Sequence, residues 1–320
     1  MGAGRLAAAG AGAGSAGGPG VEQELQTATE LQREFGIEGS VEFGSGEGGL
    51  PCVVLSHACG AEATVYLYGA CVASWIQPGG HEVLYVRPDA VFDRSKPISG
   101  GIPLCFPQFG PGAMQQHGFA RNLDWRVAAT SADFNPDDKD PEVELVLEDS
   151  DFTRAMFPHK FLCSYVITLH NDVLRTRYTV VNKDDKPFSF TGALHSYFEV
   201  AGIENAQVLG LQELTYLDKV PDPESPAVCE ETAPTVRFGG ETDRVYLGAP
   251  GSVQLDVGTG AAVEIQSSNW PDCVVWNPWT AMEACYREFC CVENAVAREP
   301  VTLQPGEEWT GKADFLVVDL

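Results

Sequence analysis

The chain predicts an all-β fold, a large antiparallel β-sandwich preceded by one short helix, and three observations carry that prediction. From Ser40 onward, short runs rich in Val, Tyr, Phe and Leu alternate with Gly, Pro, Asp and Asn, a pattern of strands and turns. Tight turn sequences at His170-Asn171-Asp172 and Lys183-Asp184-Asp185-Lys186 join consecutive runs antiparallel. No repeat or linker divides the 320 residues, and a 44% hydrophobic, 10% aromatic composition supplies one extensive core. Residues 21–320 are therefore expected to form a single domain of packed sheets.

The elements follow in order. Residues 1–20, nearly all Ala and Gly, bury too little surface to fold and are expected to be a disordered tail, with a cleaved targeting remnant as the alternative. Val21, Leu25, Ala28, Leu31 and Phe35 share helical spacing, so a helix is predicted over Val21 to Phe35, stopped by Gly36. Strands are predicted at Thr64 to Ile76, Glu82 to Val86, Glu142 to Leu147, Phe161 to Leu169, Val173 to Val181 and Pro187 to Val200.

Charge and cysteine content narrow the function. With 45 acidic against 20 basic residues the formal charge is −25, which argues against nucleic acid, since phosphate backbones call for a dense basic surface. An anionic substrate would need a local group of cations to reverse the field, and Arg94, Lys96 and Arg121 are candidates. No apolar run is long enough to span a bilayer. Ten cysteines without a C-x-x-C pair read as reduced, buried residues of a cytoplasmic protein, a plastid or other organelle being the alternative. The six histidines form no H-x-H or H-E-x-x-H spacing, so no metal enzyme is expected.

Five segments could carry chemistry. Ser99-Gly100-Gly101-Ile102-Pro103-Leu104-Cys105-Phe106-Pro107-Gln108-Phe109-Gly110, followed by Gln115-Gln116-His117-Gly118-Phe119-Ala120-Arg121, reads either as the floor of a ligand site or as a rigid loop packed by its phenylalanines. His195 falls on the polar face of a period-two strand with Ser189, Thr191, Ala193 and Tyr197, where it is either a proton-transfer group or a surface histidine. Glu293 stands in the uncharged run Phe289-Cys290-Cys291-Val292-Glu293-Asn294-Ala295. Burial would raise its pKa and suit it to acid–base work, and an outward-pointing side chain is the alternative. Trp276-Asn277-Pro278-Trp279 offers indoles that could stack on a sugar ring, or core packing. Asp243, beside Arg244, could bond a hydroxyl, orient His195, or form a surface ion pair.

Taken in order, S-G-G-I-P-L-C-F-P-Q-F-G, Q-H-G-F-A-R, A-L-H-S-Y-F, T-D-R-V-Y, W-N-P-W, C-V-E-N-A and the Leu303 to Trp309 ending resemble the aldose 1-epimerase family, in its hexose-6-phosphate mutarotase branch, from about Glu30 to the C-terminus. The resemblance implies a galactose-mutarotase-like sandwich that interconverts the α and β anomers of an aldohexose 6-phosphate, glucose 6-phosphate foremost, without a cofactor and as a monomer. It implies His195 as general acid and Glu293 as general base. Gln116, Arg121 and Asp243 would lie at the substrate, with His117, Trp276 and Ser99 contributing. One departure bears on the phosphate. The family carries Arg before the Gly-Gly pair, and here Ser99 offers a hydroxyl without charge, for which Arg94 or Lys96 could compensate. Competing readings are a mutarotase of unphosphorylated aldoses, a non-catalytic carbohydrate-binding protein, and a glycoside hydrolase using Asp243 with Glu293.

Overall fold

A computed structural model describes residues 26–132 and 140–320. The Ala/Gly tail expected over residues 1–20 lies outside these residues, as does the start of the predicted helix. The helix begins later than predicted, at Ala28–Phe35. Thr27 caps it, its hydroxyl accepting from the Glu30 N–H while the Glu30 carboxylate reaches back to the Thr27 N–H, a reciprocal pair that fixes the first turn. Leu31 is its buried anchor.

The remainder is β-structure in three antiparallel sheets. Val41–Ser45, Pro51–Ser56, Glu62–Tyr66 and Cys71–Ile76 form a four-stranded meander. A nine-stranded sheet is centred on Phe161–Leu169, Val173–Asn182, Glu308–Asp319 and Ala261–Ser268. An eight-stranded sheet has Phe289–Leu303 inside it, flanked by Phe188–Leu194 and Asp272–Asn277, with Thr242–Leu247 and Thr215–Asp218 beyond. One hydrophobic cluster joins all three sheets. Trp75, Trp125, Phe106, Phe161, Tyr178, Phe198 and Phe315 are among its buried side chains, and packing them away from water supplies the main drive for folding.

Three strand expectations need correction. Thr64 to Ile76 is two strands, because Gly69 and Ala70 adopt positive φ (74° and 48°) and turn the chain back between them. Glu82 to Val86 makes only isolated bridges, Glu82 to Ile76, Leu84 to Phe198 and Val86 to Gly100, and so serves as a tie between segments. Pro187 to Val200 is interrupted at His195-Ser196. There the Ser196 N–H turns back to the Leu194 carbonyl, while Pro103 and Gly101 carbonyls accept from His195 and Tyr197. The hairpin of Phe161–Leu169 with Val173–Asn182 forms around Asn171 as predicted, whereas the turn at Lys183 to Lys186 does not pair the strands on either side of it but carries the chain from the nine-stranded to the eight-stranded sheet.

Candidate active site

Sheet register brings the distant motifs to one face. Asp243 pairs with Trp276, Trp276 with Cys291, and Cys291 with Tyr197, while Val245 pairs with Val274 and Val274 with Glu293. Directly paired residues share a face and so do residues two apart along a strand, so Asp243, Trp276, Glu293 and Tyr197 all project from the same side of the eight-stranded sheet. His195, placed by the strand break opposite Glu293, joins them. Small apolar residues of the same face, Cys105, Ala193, Val245, Val274 and Ala295, form a floor that leaves room above it.

The space is a cleft of about 390 Å³, lined by Ser99, Gln116, His117, Arg121, His195, Asp243, Trp276 and Glu293, the catalytic pair and substrate contacts that the family resemblance implied. Arg87, Lys96, Phe109, Tyr197 and Lys219 complete its walls. A larger cavity of about 750 Å³ lies on the solvent face of the nine-stranded sheet. Among its charges Arg175 pairs with Asp314 and His170 with Asp140, and none of the candidate site residues named from the sequence lines it.

At the bottom of the cleft, His195 Nδ1 lies 3.4 Å from Glu293 Oε1, with the two residues only 7% and 2% exposed. The contact is not aligned as a hydrogen bond: His195 Nδ1 and Glu293 Oε2 are both buried without a hydrogen-bond partner, as is Arg121 Nε. Unpaired polar groups buried together are costly to folding, and in a native cleft they mark donors and acceptors held for a ligand. Burial, reinforced by the nearby Asp243 carboxylate, raises the Glu293 pKa well above the ordinary carboxylate range. Burial, with the Arg121 and Lys219 charges, lowers His195 to about 3. Burial thus disfavours the charged form of both members of the pair.

Aromatic rings hold His195 in place. Tyr197 stacks on it at 4.9 Å and 12°, Trp276 meets it edge-on at 5.8 Å, and His117 does so at 5.3 Å. His117 takes a positive φ of 66° and accepts the Gly110 N–H at Nδ1, which places its own proton on Nε2, 3.3 Å from the Gln116 amide. Arg121 donates to the Gln116 carbonyl at 2.9 Å. Lys219 Nζ stands 3.8 Å from Asp243 and 5.7 Å from the centre of the Phe109 ring. The four cations Arg87, Lys96, Arg121 and Lys219 thus reverse locally the sign of an acidic chain.

The glycine-rich motif proves to be both site and core. Ser99, Phe109 and Gly110 line the cleft, whereas Phe106 is buried among Phe119, Phe161 and Phe190. Its glycines admit neighbouring backbone. A Cβ on Gly101 would come within 2.1 Å of the Val72 carbonyl oxygen, and one on Gly100 within 2.4 Å of Val86 Cα.

Four expectations are corrected. His195 is not on a solvent face, because the cleft walls cover it. Arg94 is held bidentately by Asp124 and lies outside the cleft. Asn277 donates to the Tyr286 and Phe289 carbonyls, and Trp279 packs on Tyr286 at 5.0 Å, so only Trp276 of that motif reaches the cleft. Arg244 turns from Asp243 to Glu231, at 3.2 Å, and to the Tyr216 ring. Sequence reasoning did not reach Arg87, Lys219 or Tyr197. Arg87 and Lys219 sit in V-R-P and D-K-V contexts that carry no motif, and only the pairing of strands brings them here.

The fold also gathers three potential metal-ligand atoms, from His195, Cys291 and Glu293, within 4.8 Å of one another. Burial keeps the Cys291 thiol protonated, with its pKa far above the usual value, so the trio offers no thiolate.

Comparison with known proteins follows the same lines. The family model of aldose 1-epimerase matches residues 51–315. A protein of Cenchrus ciliaris, named "Putative glucose-6-phosphate 1-epimerase", is 37% identical over 288 residues, covering 82% of this chain and 84% of its own length. One of the same name from Salmonella typhimurium is 32% identical over 273 residues, covering 78% and 85%. Among solved structures, the galactose 1-epimerase of Lactobacillus acidophilus NCFM shares the fold at a TM-score of 0.67 and 16% identity, covering 88% of this chain and 99% of its own. No described helix is long and apolar enough to cross a membrane. The galactose-mutarotase-like β-fold, the motif order and the matched span agree, and the chain belongs to the aldose 1-epimerase family.

Proposed function

We propose that this chain is a glucose-6-phosphate 1-epimerase, interconverting the α and β anomers by ring opening and closure, and that His195 and Glu293 carry the proton transfers. The observation that carries the reading is the buried His195–Glu293 pair, 3.4 Å apart at the floor of a cationic cleft. A neutral imidazole with a protonated carboxyl holds the same number of protons as an imidazolium with a carboxylate. Passage between these two forms is one internal transfer, without exchange with solvent. In the imidazolium–carboxylate form Glu293 takes the proton of the C1 hydroxyl as His195 protonates the ring oxygen, and the C1–O5 bond breaks to give the open aldehyde. Rotation about C1–C2 presents the other carbonyl face, and the two groups reverse roles to close the ring. Net proton uptake is zero, so two groups suffice and no cofactor is called on.

Arg121, Lys219 and Asp243 surround the reacting end, and Trp276 offers an apolar face to the sugar ring. Every group the cycle uses comes from one chain, so the reading treats residues 21–320 as one working unit and the monomer as active. The test is anomer exchange followed by NMR magnetisation transfer between the α and β C1 protons of glucose 6-phosphate. Acceleration by the wild type that falls about 10²- to 10⁴-fold in Glu293→Gln supports the reading. Equal rates with and without protein would remove it and favour a sugar-binding role.

A further inference from the structure

The family pattern places an arginine before the Gly-Gly pair, and this chain has Ser99 there. Directly across the backbone from it stands Arg87, whose N–H donates to the Ser99 carbonyl at 2.9 Å, next to the bridge between Val86 and Gly100. Arg87, Lys96 and Ser99 all line the cleft, and the Arg87 side chain is only 17% exposed. Asp89 grips the guanidinium bidentately, accepting from Nε at 2.9 Å and from Nη2 at 2.5 Å. That grip uses two of its five N–H donors and fixes the plane of the fork, which keeps three donors for a second anion.

The position along the cleft matters as much as the charge. The cations that act on His195 and Glu293 are Arg121 and Lys219, while Arg87 is not among them. Tyr85, two residues before Arg87, donates its N–H to the Tyr197 carbonyl at 3.1 Å, and Tyr197 in turn stacks on His195, so Tyr85 and Tyr197 stand in the backbone between Arg87 and the reacting pair. The cleft thus has one cation group at the proton-transfer pair and another set apart from it. A hexose 6-phosphate has a comparable division: its phosphate hangs outside the ring on C6, separated from the breaking C1–O5 bond by C5, C6 and O6.

We propose that Arg87, pre-oriented by Asp89 and seconded by Lys96 and the Ser99 hydroxyl, is the phosphate-recognising residue of this chain, occupying from the facing backbone the role that an arginine at position 99 would fill. The inference rests on the epimerase reading and deepens it. Arg121 then serves the reacting end, not the phosphate.

The experiment compares glucose 6-phosphate with glucose by magnetisation transfer, in wild type, Arg87→Ala and the double variant Arg87→Ala/Ser99→Arg, with circular dichroism as the folding control. The preference in kcat/KM for the phosphorylated sugar should fall at least twentyfold in Arg87→Ala, through KM, and inorganic phosphate should lose its power to compete. The added arginine at 99 should recover most of that preference. A preference within twofold of wild type in folded Arg87→Ala overturns the proposal, as does an equal loss for both sugars. If Arg87→Ala does not fold, Arg87→Lys replaces it: a preference reduced at least threefold supports the bidentate role, and an unchanged one overturns it. Calorimetric binding of glucose 6-phosphate separates this inference from the reaction. Were the wild type to accelerate neither sugar, tight binding that Arg87→Ala weakens would still uphold the phosphate subsite, and binding that it leaves intact would dismiss it.

Discussion

The rings of His117 and His195 meet edge to face at 5.3 Å, and neither is charged at neutral pH. Burial lowers His117 to about 2, with the neighbouring His195 and Arg121 adding to the effect, and burial lowers His195 to about 3. A second proton therefore enters the His195–Glu293 pair only as pH falls toward 3, far below the ordinary histidine range. At the alkaline side the pair loses its one working proton when pH passes the raised pKa of Glu293. The acid side of the rate profile should accordingly show no decline centred at 6.5, and the alkaline limb should lie above the ordinary carboxylate range. Rates of anomer exchange, corrected for the uncatalysed reaction at each pH, check this. An acid limb centred between 6 and 7 would show that His195 titrates as an exposed imidazole.

The same burial links Glu293 to stability. Its folded-state pKa is raised above the unfolded value, so its contribution is fully present below about pH 4.5. As pH rises from there the unfolded chain gives up the proton first, and that stability is lost on the way to and through the folded pKa. Glu293→Gln removes the titration. The variant should therefore be more stable than wild type at pH 8, with the difference shrinking toward pH 4, a convergence that urea unfolding at the two pH values measures.

Arg121→Ala should reduce kcat/KM by about tenfold to a hundredfold for glucose and glucose 6-phosphate alike, the range expected for a lost charged hydrogen bond. Its guanidinium acts on both members of the pair and has a buried Nε without a partner. A loss confined to the phosphorylated sugar would put Arg121 at the phosphate instead.

Of the two tryptophans in the W-N-P-W motif, only Trp276 should matter to turnover. Trp276→Ala should raise KM by about two- to tenfold, the worth of one ring stacking on a sugar. Trp279, which packs on Tyr286 outside the cleft, should change kcat/KM by less than twofold when made Ala.

Gly101→Ala should destabilise the protein by about 2 kcal/mol or more, since its methyl would meet the Val72 carbonyl at 2.1 Å and its φ is +65°. Gly39→Ala is the control: φ is +71° there, but no atom lies within 4 Å of the added carbon, so only about 1 kcal/mol of backbone strain is expected. Denaturant midpoints of the two variants separate crowding from conformation.

Much of this was legible in the chain because its signals are local. Alternation wrote the hairpin of Phe161–Leu169 with Val173–Asn182, and ordered motifs brought His195 and Glu293 forward. Features set by pairing were not legible. The turn at Gly69-Ala70 lies inside an apolar run that hides it, and the break at His195-Ser196 depends on carbonyls contributed by Gly101 and Pro103. Arg87 and Lys219 look like ordinary surface charges until strand register brings them beside Ser99 and Asp243. Burial, and with it the protonation of the reacting pair, belongs to the assembled sheet.

The reacting pair and its cations rest on different kinds of scaffold. Glu293 sits within a fifteen-residue strand hydrogen-bonded on both sides, and His195 follows the strand next to it, whereas Arg87, Lys96, Ser99 and Lys219 stand on connections outside the strands. Connections tolerate substitution more readily than a central strand. Mutation can therefore exchange one charged head group for another on a sugar while the ring-opening step is inherited unchanged, and a lineage can broaden or narrow its substrate range without rebuilding the catalyst.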